Sequence, residues 1–85
     1  MSKVKIEQAL QDSFHPVSLI VIDDSAKHAG HAGAKEGGHF SVDIVSEAFA
    51  GKKALERHRM VYVALASLKT SIHALAIKAR TPQEN

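Results

Sequence analysis

The segment Ser25–Gly38 most constrains what this chain can fold into. It holds four glycines and four alanines together with His28 and His31. Such a stretch cannot pack a core face. The runs on either side can. Val17–Asp23 (VSLIVID) is β-branched and mostly apolar, as suits a well-covered strand. In 39–46, Phe40, Val42 and Ile44 alternate with Ser41 and Asp43, the period of a half-buried strand. The breaker-rich segment is therefore expected to be a loop, across which the two strands can pair antiparallel.

The remaining elements follow from the same patterning. Residues 2–14 predict an amphipathic helix, with Ile6, Ala9, Leu10 and Phe14 at helical spacing and Ser2 as N-cap. His15-Pro16 stops it, because the residue before proline is pushed out of the helical region. Ser46-Glu-Ala-Phe-Ala-Gly51 turns the chain, with Phe49 anchoring the turn and Gly51 freeing its backbone. Residues 52–69 predict a long helix. On its wheel Ala54, Leu55, Val61, Tyr62, Leu65 and Leu68 share a side with His58, whose imidazole is expected to pack beneath the sheet or bond to a backbone group. Ile72–Ala79 is the last strand and Thr81–Asn85 a polar tail. The order is α-β-β-α-β, an α+β sandwich with both helices on one face of a three-stranded mixed sheet. A strand reached through a helical crossover runs parallel to the one before it. His73, which opens that strand, then lies at the sheet edge carrying His28 and His31.

Eighty-five residues suit a single domain, 1–85, and a 45% hydrophobic share suits a folded one. Only three Phe and one Tyr, with no Trp, leave little for stacking nucleic-acid bases. A net charge of +2 makes no strong electrostatic bid for nucleic acid or membrane. The N-terminus lacks the apolar core of a signal peptide, and no apolar run approaches spanning length, so a soluble cytoplasmic protein is expected. The serines occur in no nucleophile-elbow context and there is no Walker loop, which points away from an enzyme. Asp23 and Asp24 read as a solvated strand end rather than an acid/base pair. Gly30-His-Ala-Gly33 spells the GxxG of an RNA clamp, but between strands rather than helices.

Zero cysteines exclude disulfides and an autonomous thiolate-ligated zinc or iron–sulfur site. A soft metal centre here would have to be shared with a partner. Imidazole is what the chain offers, in six histidines. His28-x-x-His31 has ligand-compatible spacing, and the same spacing suits a solvated loop. His73 opens a strand in which its alternation partners are Leu75 and Ile77, so it reads equally as a partly buried histidine. His39 shares a polar face with Ser41 and Asp43 and caps the strand, while His15 is a helix stop. Lys52, Lys53, Arg57 and Arg59 can reach phosphate. Set against Glu47 and Glu56, they look more like a solvated helix face.

Four separated motifs occur in order: His39-Phe-Ser-Val-Asp-Ile-Val-Ser46, Phe49-Ala-Gly-Lys52, Arg57-His-Arg-Met-Val-Tyr62 and Ile72-His-Ala-Leu-Ala-Ile-Lys-Ala-Arg-Thr-Pro82. Together they resemble the BolA family over roughly the whole chain. The resemblance implies a fold similar to class II KH domains. It also implies association with a monothiol glutaredoxin through a shared 2Fe-2S cluster, the partner side supplying a cysteine and a glutathione thiolate. This side would supply a last-strand histidine, matched by His73, and a loop ligand. Gly30-His31-Ala32 fits one family pattern and Ser25-x-x-His28 another, and His31 is placed ahead of His28. Gly37-Gly38 stands where many relatives carry Glu-Thr, and the stretch 66–71 lacks a usual acidic pair. The expected function is a non-enzymatic iron–sulfur accessory protein, a monomer or weak homodimer when free. The alternative that the resemblance carries is a DNA-binding regulator of stress response and cell morphology, working through Lys52, Lys53, Arg57 and Arg59.

Overall fold

The computed structural model describes residues 2–24 and 38–84 of the chain. Helix α1 (Ser2–Phe14) leads to strand β1 (Ser18–Asp23), then β2 (Gly38–Val45), helix α2 (Ala54–Ala64) and strand β3 (Ile72–Arg80). Short 3-10 turns occupy Glu47–Phe49, Ala66–Ser71 and Pro82–Glu84. The sheet order is β1-β2-β3, with β1 antiparallel to β2 and β2 parallel to β3. The expected mixed sheet is therefore present, and with it the shared end at which β2 and β3 both begin. Among the described residues, no helix is long and apolar enough to cross a membrane.

Alternation sorts the sheet into two faces. Phe40, Val42 and Ile44 of β2 and Val21 of β1 join Ile6, Leu10 and Phe14 of α1, Val61 of α2 and Leu65 just after it in one buried cluster. Leu75, Ile77 and Ala79 pack against it in part. The other face is open, and this corrects the reading of Val17–Asp23 as a well-covered strand. Ile20 and Ile22 are about half exposed, because both helices lie on the opposite face.

The turn after β2 matches its expectation closely. Phe49 is fully buried, its ring centroid 5.0 Å from that of Phe14. Gly51 adopts φ +76°, where a side chain would be strained. Buried Ser46 starts the turn: its hydroxyl donates to the Phe14 carbonyl (2.7 Å) and accepts from the Ala48 N–H (3.1 Å). One side chain thus satisfies a helix-end carbonyl and a turn N–H together. At the end of α1, His15 takes φ +44° and donates its N–H to the Gln11 carbonyl at 3.0 Å.

Helix α2 differs from its expectation in length and rotation. It ends at Ala64 instead of 69, and the chain tightens into the 3-10 turn that follows. Its buried position is Val61, with Met60 and Ala64 partly buried, and the inward row continues past its end through Leu65 and Leu68. Leu55 and Tyr62 are 61% and 53% exposed, and His58 is half-buried. The inward stripe is rotated about one residue from His58 toward Arg57. The cause is that Arg57, read as solvated, turns inward.

Candidate functional site

Strand register locates the chemistry at one end of the sheet. Gly38 pairs with Ile72, but His39 pairs with Ala74, so residue 73 has no partner on β2. This is a bulge in β3, at the residue singled out as the last-strand ligand. Bulges break the strict alternation of a strand and re-aim what they carry. An uninterrupted ladder would assign residue 73 to the helix-covered face with Leu75 and Ile77; at a bulge that assignment lapses. His28 and His31 lie outside the described residues, as does the His73 side chain. The segment bearing the two loop histidines leaves from β1 after Asp24 and rejoins at Gly38, beside the start of β3.

An open depression of about 430 Å³ sits at this end, lined by Asp24, His39, Ser41, Ala74 and Ala76 among others. Small side chains on β3 leave it uncovered. Asp24 is not the solvated strand end expected. Its N–H donates to the His39 carbonyl (2.7 Å), and its carboxylate accepts from the Ser41 hydroxyl (2.8 Å). Those bonds fasten the end of β1 to β2 next to the bulge. His39, read only as a strand cap, is half-buried and lines the depression. The signal that would have singled it out is its position opposite Ala74, and register across a parallel crossover is not legible from one strand's pattern. Among the described residues, no group of three or more His, Cys, Asp or Glu side chains is placed to hold a metal ion.

The basic residues differ in availability. Lys52, Lys53 and Arg59 are exposed. The Lys53 N–H donates to Glu56 Oε1 at 2.9 Å, which caps the start of α2. Arg57 corrects the expectation of a solvated face, since its side chain is only 12% exposed. Its Nε donates to the Lys52 carbonyl (2.8 Å) and its Nη1 to the Ala79 carbonyl (3.1 Å). Nη1 and Nη2 also grip the two Glu84 oxygens at 2.6 and 2.9 Å. The supposed polar tail is thus folded back: Thr81 is buried and its N–H donates to Glu84 Oε1 at 3.0 Å. Charge on α2 that looked available for a partner holds the chain's own C-terminal segment.

This clasp has a pH signature. The Arg57 hydrogen bonds, and next the Thr81 N–H, hold the Glu84 carboxyl down to about 2 from an ordinary 4.5. A depressed carboxyl contributes stability that is fully present above its unfolded value and lost as pH falls through its folded value. Glu84→Gln is expected to lower the melting temperature at neutral pH. The deficit should shrink as pH falls from 4.5 toward about 2, because the unmodified chain loses the same ion pair there. Thermal melts across that range check it; a deficit independent of pH would contradict it.

Comparison with known proteins agrees with this architecture. A family model described as BolA-like protein matches residues 10–84. The chain is 44% identical over 85 residues to the "DNA-binding transcriptional regulator BolA" of Escherichia coli K12, covering 99% of this chain and 79% of that one. It is 43% identical to "Protein BOLA1, chloroplastic" of Arabidopsis thaliana, matching 95% of its own length but about half, 54%, of that relative's. Among solved structures, the BolA domain of SufE1 from Arabidopsis thaliana superposes with a TM-score of 0.84 at 45% identity, covering 98% of this chain and 94% of that one. With matched positions running from the middle of α1 through the Glu84 clasp, and the two-helix, mixed-sheet fold in common, this chain belongs to the BolA-like family.

Proposed function

We propose that this chain is a non-enzymatic accessory protein that joins a monothiol glutaredoxin through a shared 2Fe-2S cluster, with His73 and one loop histidine, His31 ahead of His28, as its ligands. The observation that carries the reading is the parallel pairing of β2 with β3. It puts the start of β3, with its bulge at residue 73, at the end of the sheet where the histidine-bearing segment rejoins β2. The donor set suits such a group: neutral imidazoles from this side, and thiolates from the partner of a chain that has none. A cluster ligated in this mixed way supplies an iron less electron-rich than a wholly thiolate one, with a raised potential. The protein's share is to present two imidazoles, which bind metal only when neutral.

The experiment is to mix the purified chain with a cluster-loaded monothiol glutaredoxin and record visible absorption and circular dichroism. A new spectrum, distinct from that of the glutaredoxin alone, supports the reading. A stable complex whose spectrum is unchanged would favour a metal-free interaction module.

A second reading is favoured by the Escherichia coli relative, which is named a DNA-binding transcriptional regulator. For this chain it would rest on Lys52, Lys53 and Arg59, since Arg57 is committed to Glu84. Lys52→Glu with Lys53→Glu should then abolish binding and flatten its salt dependence. A tight, sequence-specific site that persists at physiological salt would raise this reading above the first.

A further inference from the structure

We propose that Arg57 and the Thr81 N–H, flanked by Lys52 and Lys53, form a binding site for a phosphate group that the chain's own Glu84 fills as an internal competitor. The proposal deepens the second reading above and rests on it only for nucleic acid as the source of the phosphate. Three observations carry it. First, the guanidinium is fixed from behind. Its Nε donates to the Lys52 carbonyl at 2.8 Å and its Nη1 to the Ala79 carbonyl at 3.1 Å, so one side chain ties the start of α2 to β3. Nη1 and Nη2 together present a fork, and Glu84 takes both arms, at 2.6 and 2.9 Å. Two phosphate oxygens match that fork as two carboxylate oxygens do. Second, the Thr81 N–H converges on the same oxygen, Glu84 Oε1, at 3.0 Å. Thr81 is buried, so this donor belongs to the body of the protein and stays when the carboxylate leaves. Third, the occupant is the outer member of the pair. The Glu84 side chain is 46% exposed against 12% for Arg57, and the Pro82–Glu84 turn buries none of its own residues.

Charge decides which ligand can enter. With Glu84 in place the Arg57 charge is neutralised, and only the exposed lysines 52 and 53 face solvent at the start of α2. An isolated carboxylate gains nothing that Glu84 does not already supply at the high effective concentration of an attached group. A ligand with several linked phosphates gains the fork and the lysines together, and so can displace it. The clasp is thereby a restraint on anion binding as well as a structural tie.

The test compares four forms of the full chain: unmodified, Glu84→Gln, Glu84→Gln with Arg57→Gln, and Asp12→Asn, which removes the same charge from an exposed position on α1. Binding of labelled duplex DNA is followed by fluorescence anisotropy over a range of salt, and binding of inorganic tripolyphosphate by calorimetry. Far-UV circular dichroism confirms each fold. Glu84→Gln is expected to tighten binding of both ligands at low salt by at least about twofold, within the range of one solvent-facing ion pair. Its DNA salt slope should steepen by about 0.9, the value for one further phosphate contact. Asp12→Asn should gain less, and adding Arg57→Gln should remove the gain. In the unmodified chain, the Glu84 carboxyl carbon resonance should shift as tripolyphosphate is added, a readout that needs no substitution. A gain with tripolyphosphate alone would keep the site and remove nucleic acid as its ligand. No gain with either ligand, a gain equalled by Asp12→Asn, a gain that survives Arg57→Gln, or a Glu84 resonance unmoved at saturation would each overturn the proposal.

Discussion

Phe49→Ala is expected to cost about 3–5 kcal/mol, the range for truncating a buried aromatic. Phe49 has no exposed surface, and it stacks at a tilt on Phe14 where α1 ends and the sheet turns toward α2. The surrounding Ser46 hydrogen bonds to the Phe14 carbonyl and the Ala48 N–H hold the turn in place, so it cannot collapse into the vacated space. Domains of this size have only about 4–13 kcal/mol of total stability. The variant should therefore be largely unfolded well below the melting temperature of the unmodified chain. Phe49→Leu, which keeps most of the volume, should lose much less. Urea unfolding measures both, and a loss below about 1 kcal/mol for the alanine variant would contradict the assignment of Phe49 as the buried anchor of the turn.

His73→Ala is expected to have the largest functional effect, removing the mixed-cluster spectrum altogether. The fold should survive. Residue 73 sits at a strand start beside a break in register, and the pairing from His39–Ala74 onward to Val45–Arg80 does not depend on it. Stability should change by no more than about 1 kcal/mol, as for substitutions away from core packing and buried networks. His31→Ala should weaken or shift the spectrum without erasing it. Acidification should act in the same direction as His73→Ala, because imidazole binds metal only when neutral, and histidine ordinarily protonates near pH 6.5. Cluster lifetime in the mixed complex should therefore shorten as pH falls through about 6.5.

Much of this was legible in the chain. The alternation of Phe40, Val42 and Ile44 set the face of β2, and the breaker-rich segment before it implied a connection between strands. The helical crossover implied a parallel third strand. Phe49 and Gly51 announced a turn because one is too apolar for the surface and the other is free to adopt positive φ. What escaped depends on contacts between distant segments. A helical wheel gives the side on which apolar residues gather, but it does not show that Arg57 turns inward to Glu84, twenty-seven residues away in sequence. The exposed isoleucines of β1 follow from the expected placement of both helices on one face, which leaves the other side of this apolar run uncovered. The bulge at residue 73 and the position of His39 are properties of register between β2 and β3. Register is fixed by packing, and neither strand carries it alone.

The central claim is that imidazole nitrogen from this chain binds iron in a cluster shared with a glutaredoxin. Its most direct test is pulsed electron paramagnetic resonance on the reduced mixed complex, with only this chain's histidines labelled with nitrogen-15. Strong nitrogen-15 hyperfine couplings are expected, and they should vanish in the His73→Ala variant. Spectra with no nitrogen-15 coupling, the same with and without His73, would mean that every cluster ligand comes from the partner side, and would contradict it.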